Sequence, residues 1–531
     1  MRRLLANDKI TRCAPYAALA AAVAAVFWPC LRADYFNWDD YQIFVGNSQT
    51  QNLSWSGIKT VFQSFVVGHY QPLTTLSFIL ERAVFGTNPP VSHLINILLH
   101  FINSVLVFEL VKIIVSDRRK AFLAALLFSI HPMHVESVAW VAERKDVLYS
   151  VFYLAALTLY ARYCAAEKIP ARGRLAALAL VSGLFVCALL AKAMAMTLPF
   201  ALLFLDYLGE KKLTLRRILE KVPFAALAFI FALLAVHTQG KSGYIAAFSL
   251  QKLTGGICIA SGNMLFYFWK FVTPVRLSVF YPYPGNGVYS VPAHYYPAPF
   301  ILAAALFLLW HFGRKATPLA GWGIAFFTVT IFPCLQLVPV GFSLAAEHYT
   351  YLPYLGLLIP LADAFWRQSD KLSGRGKQIM AFCCAFYLLA LGGGAMARCF
   401  SWRDSVALWS GVLARYPSCT IALNNRGLAY SNSGRYALAV RDFAAAIKLD
   451  PKSAMFHSNM AASLAKNGDT AAALESARAA VELDPNNADA LVNYGNLCLF
   501  KGEKEAARAA YHKALQISPA HTTAIHNLKQ L

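Results

Sequence analysis

Long apolar runs, separated by short polar stretches, occupy the first three quarters of the chain. Many of these runs approach the length of about 20 residues that an α-helix needs to cross the hydrocarbon core of a bilayer. The sequence of 531 residues is 58% hydrophobic and has a mean hydropathy of +0.48, which is more apolar sequence than a soluble protein of this size carries. The pattern predicts an all-α, polytopic membrane bundle.

Basic residues fall in short clusters between the apolar runs, and these clusters set the predicted orientation. Cytoplasmic loops are enriched in Lys and Arg, so the basic N-terminus and the clusters near 117–120 and 367–377 are predicted to lie inside. If residues 253–272 only re-enter the membrane, the chain has eleven crossings and its C-terminus lies outside. If they cross it, the chain has twelve crossings and its C-terminus lies inside. Eleven crossings agree better with the positions of the charge clusters. The eleven comprise 14–31, 91–114, 121–140, 147–166, a hairpin of two with Lys192 at its outer end, 223–236, 300–310, 319–338, 351–365 and 380–396.

A periodic, soluble segment follows the apolar part. Proline recurs every 34 residues, with small and aromatic residues recurring between the prolines, at Pro417, Pro451, Pro485 and Pro519. This period is typical of the tetratricopeptide repeat, in which two antiparallel helices pack through small residues. The predicted domains are a membrane domain over 1–397, a connector over 398–419 and a tetratricopeptide solenoid over 420–531, with repeats at 420–453, 454–487 and 488–521 and a last helix near 520–531.

The repeats are predicted to bind a polypeptide, because solenoids of this kind use their concave surface for binding. Asn recurs on the first helix of each repeat, and its amide offers both a donor and an acceptor to an extended backbone. The predicted groove residues are Asn424, Asn425, Asn459, Asn493 and Asn496. A purely structural or oligomerising array is the alternative.

Charge and cysteine content exclude several other classes of protein. The net charge of +21 is distributed as a membrane protein requires, and no basic and aromatic module typical of nucleic-acid binding is visible. The 11 cysteines include no CxxC pair, so no metal or redox motif is predicted. Cys399 and Cys419 could meet outside the membrane, although the sequence does not determine whether they pair.

Several polar side chains are predicted to converge on the outer face of the membrane. Ionisable residues near hydrocarbon are costly and are therefore functional candidates. An acidic pair can act as a general base, while Lys, Arg and His suit a phosphate leaving group. The combination favours group transfer from a lipid-linked phosphosugar. The candidates are Asp39, Asp40, His131, His134, Glu136, Arg144, Lys192, Glu347 and His348.

No cofactor is predicted, and a divalent metal is possible but not favoured. The segment His131-Pro132-Met133-His134-Val135-Glu136 contains metal-ligand residue types, but its spacing is not the HExxH of zinc hydrolases. The expected partners are therefore the lipid bilayer, a lipid-linked sugar and a polypeptide, and nucleic acid is excluded.

The motifs resemble those of a known family. Asp39-Asp40 in the first outer loop, the segment 131–136, the late segment 346–353 (Ala-Glu-His-Tyr-Thr-Tyr-Leu-Pro) and the trailing repeats together look like the transmembrane and tetratricopeptide-repeat O-mannosyltransferases. That family belongs to the GT-C glycosyltransferase superfamily. The resemblance covers nearly the whole chain, and the order of the motifs makes the combination fairly specific. The short array is more similar to bacterial than to animal members.

The resemblance implies an inverting transfer of a mannose-like sugar from a polyprenyl-phosphate donor to a hydroxyl acceptor at the outer face of a bacterial inner membrane. It implies that Asp39 is the base, that Asp40 assists or orients it, and that His131, His134, Arg144 and Lys192 contact the donor phosphate. The family often has Arg where this chain has His348, and His is only partly charged near neutral pH.

Two other classes of function stay open at this point. The chain could be a non-catalytic, membrane-anchored tetratricopeptide scaffold for protein or polysaccharide assembly, and it would then tolerate changes at Asp39. It could also be a transporter of lipid-linked sugars, but a transporter needs polar groups near the bilayer midplane, whereas these polar groups are predicted to gather at one face.

Overall fold

The computed structural model describes residues 2–166, 170–210, 214–241, 250–283, 291–338, 341 and 343–531. It divides into two compact units, Met1–Arg403 and Asp404–Leu531. Within the described residues both units are helical, and their one sheet is a short two-stranded pair. The predicted all-α class, with a membrane part and a tetratricopeptide solenoid, is confirmed.

The first unit contains sixteen α-helices within its described residues. They are α1 Arg2–Phe27, α2 Trp55–Gln63, α3 Pro72–Phe85, α4 Pro89–Val115, α5 Arg118–Ile130, α6 Val135–Ala139, α7 Arg144–Ala165, α8 Ala171–Ala191, α9 Leu198–Glu210, α10 Leu215–Leu219, α11 Val222–Lys241, α12 Leu250–Val272, α13 Ala298–Ala316, α14 Ala320–Ile331, α15 Leu355–Ser369 and α16 Gly374–Ser401. Short 3₁₀ helices lie at Trp28–Arg32, Ser48–Gln51, Pro132–His134, Val141–Glu143, Ala193–Thr197, Ala293–Tyr295, Phe332–Cys334 and Glu347–Thr350, and one π-helical turn lies at Tyr41–Val45.

Fewer helices than the predicted eleven are long and apolar enough to cross a membrane. In the described part of the chain there are seven, or eight if the bent pair Arg118–Ile130 and Pro132–Ala139 counts as one span. Two of the predicted crossings correspond to the shorter apolar stretches Ala193–Gly209 and Ala320–Cys334. Apolar composition alone therefore overestimated the number of full-length spans.

The predicted third crossing is sharply bent. The axes of its two halves differ by 55°, and the break falls at His131 and Pro132. Proline has no N–H and clashes with the preceding turn, so it ends α5 and starts a new helical segment. The bend shapes the wall of the site described below.

The segment between the predicted crossings 14–31 and 91–114 contains regular structure. Helices α2 and α3 lie within it, and Arg82 near the end of α3 donates to the carbonyls of Phe44 and Val45 at 2.9 and 2.8 Å. These bonds fasten the start of the loop to α3. The segment is thus partly helical and is packed through these bonds.

Helices α14 and α15 approach each other closely through two glycines. A Cβ added at Gly323 would lie 2.1 Å from the carbonyl oxygen of Gly356, and one added at Gly356 would lie 2.6 Å from that of Gly323. Small residues allow this backbone contact between apolar helices. The contact orients α15, which follows directly after the site residues Glu347 and His348.

The short sheet joins two distant segments of the first unit. Strand β1 (Tyr281–Pro282) pairs antiparallel with β2 (Ser343–Ala345), with Tyr281 opposite Ala345. The pairing carries Tyr281 to the start of the late motif.

The second unit is a stack of helical hairpins. Its helices are α17 Ser405–Leu413, α18 Thr420–Asn432, α19 Tyr436–Leu449, α20 Ala454–Lys466, α21 Thr470–Leu483, α22 Ala488–Phe500, α23 Lys504–Ile517 and α24 Thr522–Gln530. Glycine ends the first helix of each repeat with φ of 75°, 91° and 84°, at Gly434, Gly468 and Gly502. Only glycine adopts this left-handed conformation without strain, so the turns repeat with the 34-residue period.

The Asn residues predicted to line a groove form hydrogen bonds between helices of the repeats. The Nδ2 of Asn459 donates to Asn424 at 2.8 Å, that of Asn424 donates to Asn425 at 3.1 Å, and that of Asn493 donates to Ser458 at 3.1 Å. Asn496 accepts from Tyr511 and Asn527, each at 2.7 Å. Asn424 is buried. These amides therefore stabilise the stacking of successive repeats, a role that the prediction did not include.

Cys399 and Cys419, whose pairing the sequence does not determine, are both buried free thiols. The other nine cysteines are also free thiols. Cys399 lies beside Cys30 in the first unit.

Candidate active site

The two adjacent carboxylates in the loop after the 3₁₀ helix Trp28–Arg32 have different environments. Asp40 is fully buried, and its two oxygens accept the N–H of Phe36 at 2.9 Å and the N–H of Ala142 at 2.8 Å. Burial raises the pKa of Asp40 to about 7, although both N–H donors lower it. Asp40 thus fastens its loop to the turn over 141–143.

Asp39 is partly exposed in the same loop. Burial raises the pKa of its carboxyl above the usual value, while Lys145 and His348 lower it and Glu143 raises it. The loop therefore holds Asp39 next to a cluster of charges. A carboxylate with a raised pKa that solvent can still reach suits a general base.

The predicted phosphate ligands His131 and His134 are both buried at the bend after α5. The Nδ1 of His131 accepts the N–H of Met133 at 3.2 Å, and its Nε2 donates to the carbonyl of Phe271 at 3.1 Å. His134 Nδ1 donates to the carbonyl of Phe128 at 2.8 Å. These bonds stabilise the bend, and they occupy both ring nitrogens of His131 and the Nδ1 of His134.

Glu136 connects the bend to the late motif. Its two oxygens accept the backbone N–H of Glu347 at 3.0 Å and the Nδ1–H of His348 at 2.9 Å. Burial lowers the pKa of His348, whereas Glu143 raises it. The predicted convergence of these three residues is present, and Glu136 orients the segment rather than facing a substrate.

Glu347 forms a buried ion pair on the other side of the late motif. Arg398 on α16 donates to it through Nη2 at 3.0 Å and Nε at 3.3 Å, and Tyr281 donates at 3.1 Å. Burial raises the pKa of Glu347 to about 7, which Arg398 counteracts. The pair fixes the late motif against α16.

A mixed cluster of charges lies at the start of α7. Lys192 Nζ contacts Asp146 at 2.5 Å and Glu143 at 3.3 Å, and Lys145 Nζ contacts Glu143 at 2.8 Å. His348 Nε2 lies 3.9 Å from Glu143. Although burial alone would lower the pKa of Lys192, Asp146 and Glu143 raise it. Lys192 is therefore a permanent cation in the site.

The environment of Arg144 does not fit its predicted role as a phosphate ligand. Its side chain is fully buried, forms a salt bridge with Glu81, and donates to Asn96 at 3.0 Å and to the carbonyl of Ser92 at 3.2 Å. Its guanidinium also lies 4.1 Å from the ring centre of Phe78. Arg144 thus joins α7 to α3 and α4.

Three of the clustered side chains are arranged so that a metal ion could bind. Ligand atoms of Glu143, Asp146 and His348 all lie within 4.8 Å of one another. Two of the three already contact the ammonium group of Lys192, which supplies positive charge at the same place.

The site lies at one end of the helices, and a different set of ion pairs lies at the other end. Arg162 near the end of α7 contacts Glu109 on α4 at 3.2 Å, and Lys120 contacts Asp363 on α15 at 2.7 Å. Arg144 and Arg162 are about 27 Å apart along α7 at the usual helical rise. This distance is close to the thickness of a bilayer core, so the two clusters mark opposite ends of the bundle.

Four residues of the site were not among the candidate site residues chosen from the sequence. The dense charge run over 143–146 contained a signal for Glu143, Lys145 and Asp146, since buried charges near a membrane end are functional candidates. Arg398 had no such signal, because it lies in the long apolar helix α16 and meets Glu347 only through the fold.

Matches to protein families cover both parts of the chain. Residues 72–238 match the family described as dolichyl-phosphate-mannose-protein mannosyltransferase. Residues 420–453 and 459–522 match tetratricopeptide repeat families. The first match includes the bend at His131, the charged start of α7 and Lys192.

Several curated proteins are similar to parts of the chain. Protein O-mannosyl-transferase TMTC2 of Homo sapiens is 42% identical over 103 residues, which are 19% of this chain and 12% of the relative. TMTC3 of Mus musculus is 32% identical over 154 residues, 27% and 16% of the two chains, and TMTC1 of Mus musculus is 37% identical over 133 residues, 24% and 14%.

These matched segments span less than a fifth of the length of each relative. Among solved structures, the crystal structure of MamA matches 23% of this chain and 72% of its own at 23% identity, with a TM-score of 0.23. The resemblance expected from the motifs is confirmed: residues 72–238 match the dolichyl-phosphate-mannose-protein mannosyltransferase family, tetratricopeptide repeats follow, and protein O-mannosyl-transferases are similar to parts of the chain.

Proposed function

We propose that the protein is a membrane glycosyltransferase that moves a mannose-like sugar from a polyprenyl-phosphate donor to a hydroxyl group of a protein. The reaction takes place at the outer face of a plasma membrane, with the N-terminus on the cytoplasmic side. The placement of Asp39 supports this function most directly. Asp40 holds it at the entrance of a cluster that contains the cations Lys145 and Lys192.

The charges of the site fit a displacement at the sugar carbon that bears the phosphate. Asp39 removes the proton of the acceptor hydroxyl, and the hydroxyl oxygen forms the new bond to that carbon. The bond to the phosphate oxygen breaks, and the polyprenyl phosphate leaves with the electron pair. Cations close to the leaving group stabilise the charge that develops on it.

Two lysines that come from different parts of the fold are placed to stabilise the leaving phosphate. Lys192 follows α8 and Lys145 is in the first turn of α7, and both contact Glu143. Because Glu143 and Asp146 partly neutralise them, the site is not strongly cationic before the donor binds. A donor phosphate then competes with these carboxylates for the ammonium groups.

In the same proposal, the tetratricopeptide repeats are the part of the protein that binds the polypeptide. Asn493 is half-buried and Asn496 is exposed in the second unit, so both can still meet an extended chain. The hydrogen bonds among the other Asn residues keep the repeats in register for such binding. In this proposal the surface of the repeats, and not the membrane unit, determines which acceptor and partner sequences bind.

The donor class is tested by transfer assays with the purified, full-length protein in lipid nanodiscs. Radiolabelled polyprenyl-phosphate mannose and a Ser/Thr-rich acceptor protein are expected to give labelled acceptor. GDP-mannose, which lacks the lipid, serves as the control donor and is expected to give none. Equal transfer from GDP-mannose would contradict the proposal. Absence of transfer both from polyprenyl-phosphate mannose and from polyprenyl-phosphate glucose, a second donor of the same class, would also contradict it.

A further inference from the structure

A tight turn over Val66–His69 precedes helix α3. Its two backbone hydrogen bonds join Val66 N to His69 O at 3.0 Å and His69 N to Val66 O at 2.9 Å. Val67 and Gly68, the two central residues, have φ of 50° and 71°. A β-branched residue is strained in this left-handed region, and strained residues cluster where the backbone serves a function. The turn sets how the chain enters α3.

Helix α3 begins with backbone donors that no side chain caps. Gln71 is its N-cap, Pro72 follows, and within the described residues no side chain accepts a hydrogen bond at the cap and no acidic residue lies in the first turn. The N–H groups of Leu73 and Thr74 have no acceptor inside the helix, because the first turn of any helix lacks them. Such a helix start attracts anions.

The side chain of Gln71 is a second and independent observation at the same place. It is only 3% exposed, and neither its Oε1 nor its Nε2 has a hydrogen-bond partner among the described residues. Leaving a buried amide without partners is costly. A buried amide at an uncapped helix start, with neither of its polar atoms hydrogen-bonded to a described residue, is therefore suited to a polar ligand.

The segment lies next to the cations of the candidate active site. Thr74 in the first turn of α3 donates to the carbonyl of Ala191 at 3.0 Å, the residue before Lys192. Lys145 and Lys192 both act electrostatically on His69. The helix start thus faces the same region as the charged cluster at α7.

We propose that Gln71 and the start of α3 bind the phosphate group of the lipid-linked donor and of the polyprenyl phosphate that remains after transfer. The identity of this ligand rests on the proposed function. Gln71 Nε2 and the N–H groups of Leu73 and Thr74 donate to phosphate oxygens. Gln71 Oε1 accepts a hydrogen bond from a hydroxyl of the sugar, and Lys192 neutralises the charge from the other side.

This site replaces the histidines and Arg144 as the place where the phosphate is held. Those side chains already donate to protein acceptors in the described part of the chain. Gln71 has no charge, so the site recognises the phosphate through hydrogen bonds. It leaves the positive charge to Lys145 and Lys192, which Glu143 and Asp146 keep in place.

The test measures binding of farnesyl phosphate to the full-length protein in detergent, separately from transfer. Gln71→Leu is expected to weaken binding about tenfold, the size of one or two lost hydrogen bonds to a charged group. It is also expected to keep or raise the melting temperature, because an unpaired buried amide is removed. Gln63→Leu, at the exposed end of α2, is the matched control and should bind like the wild type.

Three ligand arms identify the recognised group. Farnesyl phosphate is expected to bind, while farnesol and inorganic phosphate at the same concentration are expected to bind at least tenfold more weakly. Equal binding of farnesol, or displacement of farnesyl phosphate by equimolar inorganic phosphate, would overturn the assignment to a lipid phosphate. Wild-type affinity in Gln71→Leu would overturn the role of Gln71.

A further variant separates this inference from the proposed reaction. Asp39→Asn is expected to bind farnesyl phosphate like the wild type while losing transfer, which supports both. Failure of the wild type to transfer any sugar, with Gln71-dependent binding intact, would reject the reaction alone. If the wild type transfers sugar and Gln71→Leu has the same farnesyl phosphate affinity and the same KM for the donor as the wild type, the phosphate site alone is rejected.

Discussion

At the scale of single residues, the adjacent carboxylates Asp39 and Asp40 have separate roles. Asp40 accepts two backbone N–H groups in a fully buried position, so its function is to hold the loop. Asp39 remains accessible and lies under the influence of Lys145, Glu143 and His348. The two side chains have the same chemistry in the sequence, and only their surroundings distinguish them.

Substitution of Asp40 is expected to destabilise the membrane unit. In Asp40→Asn one oxygen becomes an NH₂ group that faces a backbone N–H, so a buried donor loses its acceptor at a cost of about 1–3 kcal/mol. Asp39→Asn should leave the stability unchanged. Thermal unfolding of both variants in the same detergent checks this difference. A lower melting temperature for Asp39→Asn than for Asp40→Asn would contradict the division of roles.

The transfer rate is expected to fall at acid pH with a midpoint above the ordinary range of a carboxyl group. A general base must be deprotonated, and burial raises the pKa values of both Asp39 and Asp40, the latter to about 7. The rate should therefore rise with pH until the pair is ionised, with apparent values that belong to the pair. The pH profile of kcat/KM measures this. A rate that stays constant down to pH 4.5 would contradict it.

At the scale of secondary-structure elements, the site depends on how helices end and touch. Pro132 breaks the helix so that Glu136 can accept from the late motif, and α16 contributes Arg398 to the same motif. The glycine contact between α14 and α15 then determines the position of α15. Each of these features acts on the segment that carries Glu347 and His348.

The glycine contact provides a prediction with a control in the same helix. In Gly323→Ala the new methyl group would lie 2.1 Å from the Gly356 carbonyl oxygen, whereas in Gly321→Ala it would have no heavy atom within 4 Å. We expect the first change to destabilise the unit by about 1–3 kcal/mol through overpacking and the second to be neutral or slightly stabilising. Thermal unfolding and transfer activity measure both, and equal effects would contradict the packing described.

At the scale of the whole molecule, the two clusters of ion pairs at opposite ends of the bundle define its proposed orientation. In the proposed orientation the site with Asp39 and Lys192 faces outside, and the cluster with Arg162, Lys120 and Asp363 faces inside. The basic turns of the sequence agree with this direction under the positive-inside rule.

Cysteine labelling in intact cells checks the orientation. In a background with the exposed Cys13 and Cys383 changed to Ser, a membrane-impermeant maleimide is expected to label Trp55→Cys, whose native side chain is 82% exposed. It should also label Lys501→Cys in the repeats, and label Lys371→Cys only after permeabilisation. Labelling of Lys371→Cys but not of Trp55→Cys in intact cells would contradict the proposed orientation in the membrane.

Much of the architecture could be predicted, because the length of an apolar run and a 34-residue period are both visible in the local sequence. Runs such as 91–114 and 147–166 appear as α4 and α7, and the prolines mark the repeats. The number of full spans could not be predicted, since short helices such as α14 resemble crossings in composition. The structured layer of α2 and α3 was also missed, because its helices are short and lie between polar residues.

The members of the site could be predicted better than their roles. The motifs indicated that Glu136, Glu347 and His348 would converge, and they do. The pairing of Arg144 with Glu81 and of Arg398 with Glu347 joins residues far apart in the chain, which no local pattern reveals. Which charged group is buried and which meets a substrate therefore depends on the tertiary structure.

The most direct test of the central claim compares the kinetics of Asp39→Asn with those of Asp34→Asn, an exposed carboxylate five residues earlier. With polyprenyl-phosphate mannose as donor, Asp39→Asn is expected to lower kcat by about 10²-fold or more, the usual contribution of a general base. The KM for the donor and the melting temperature should stay unchanged, and Asp34→Asn should be fully active. A kcat for Asp39→Asn equal to that of Asp34→Asn would contradict the assignment of Asp39 as the base.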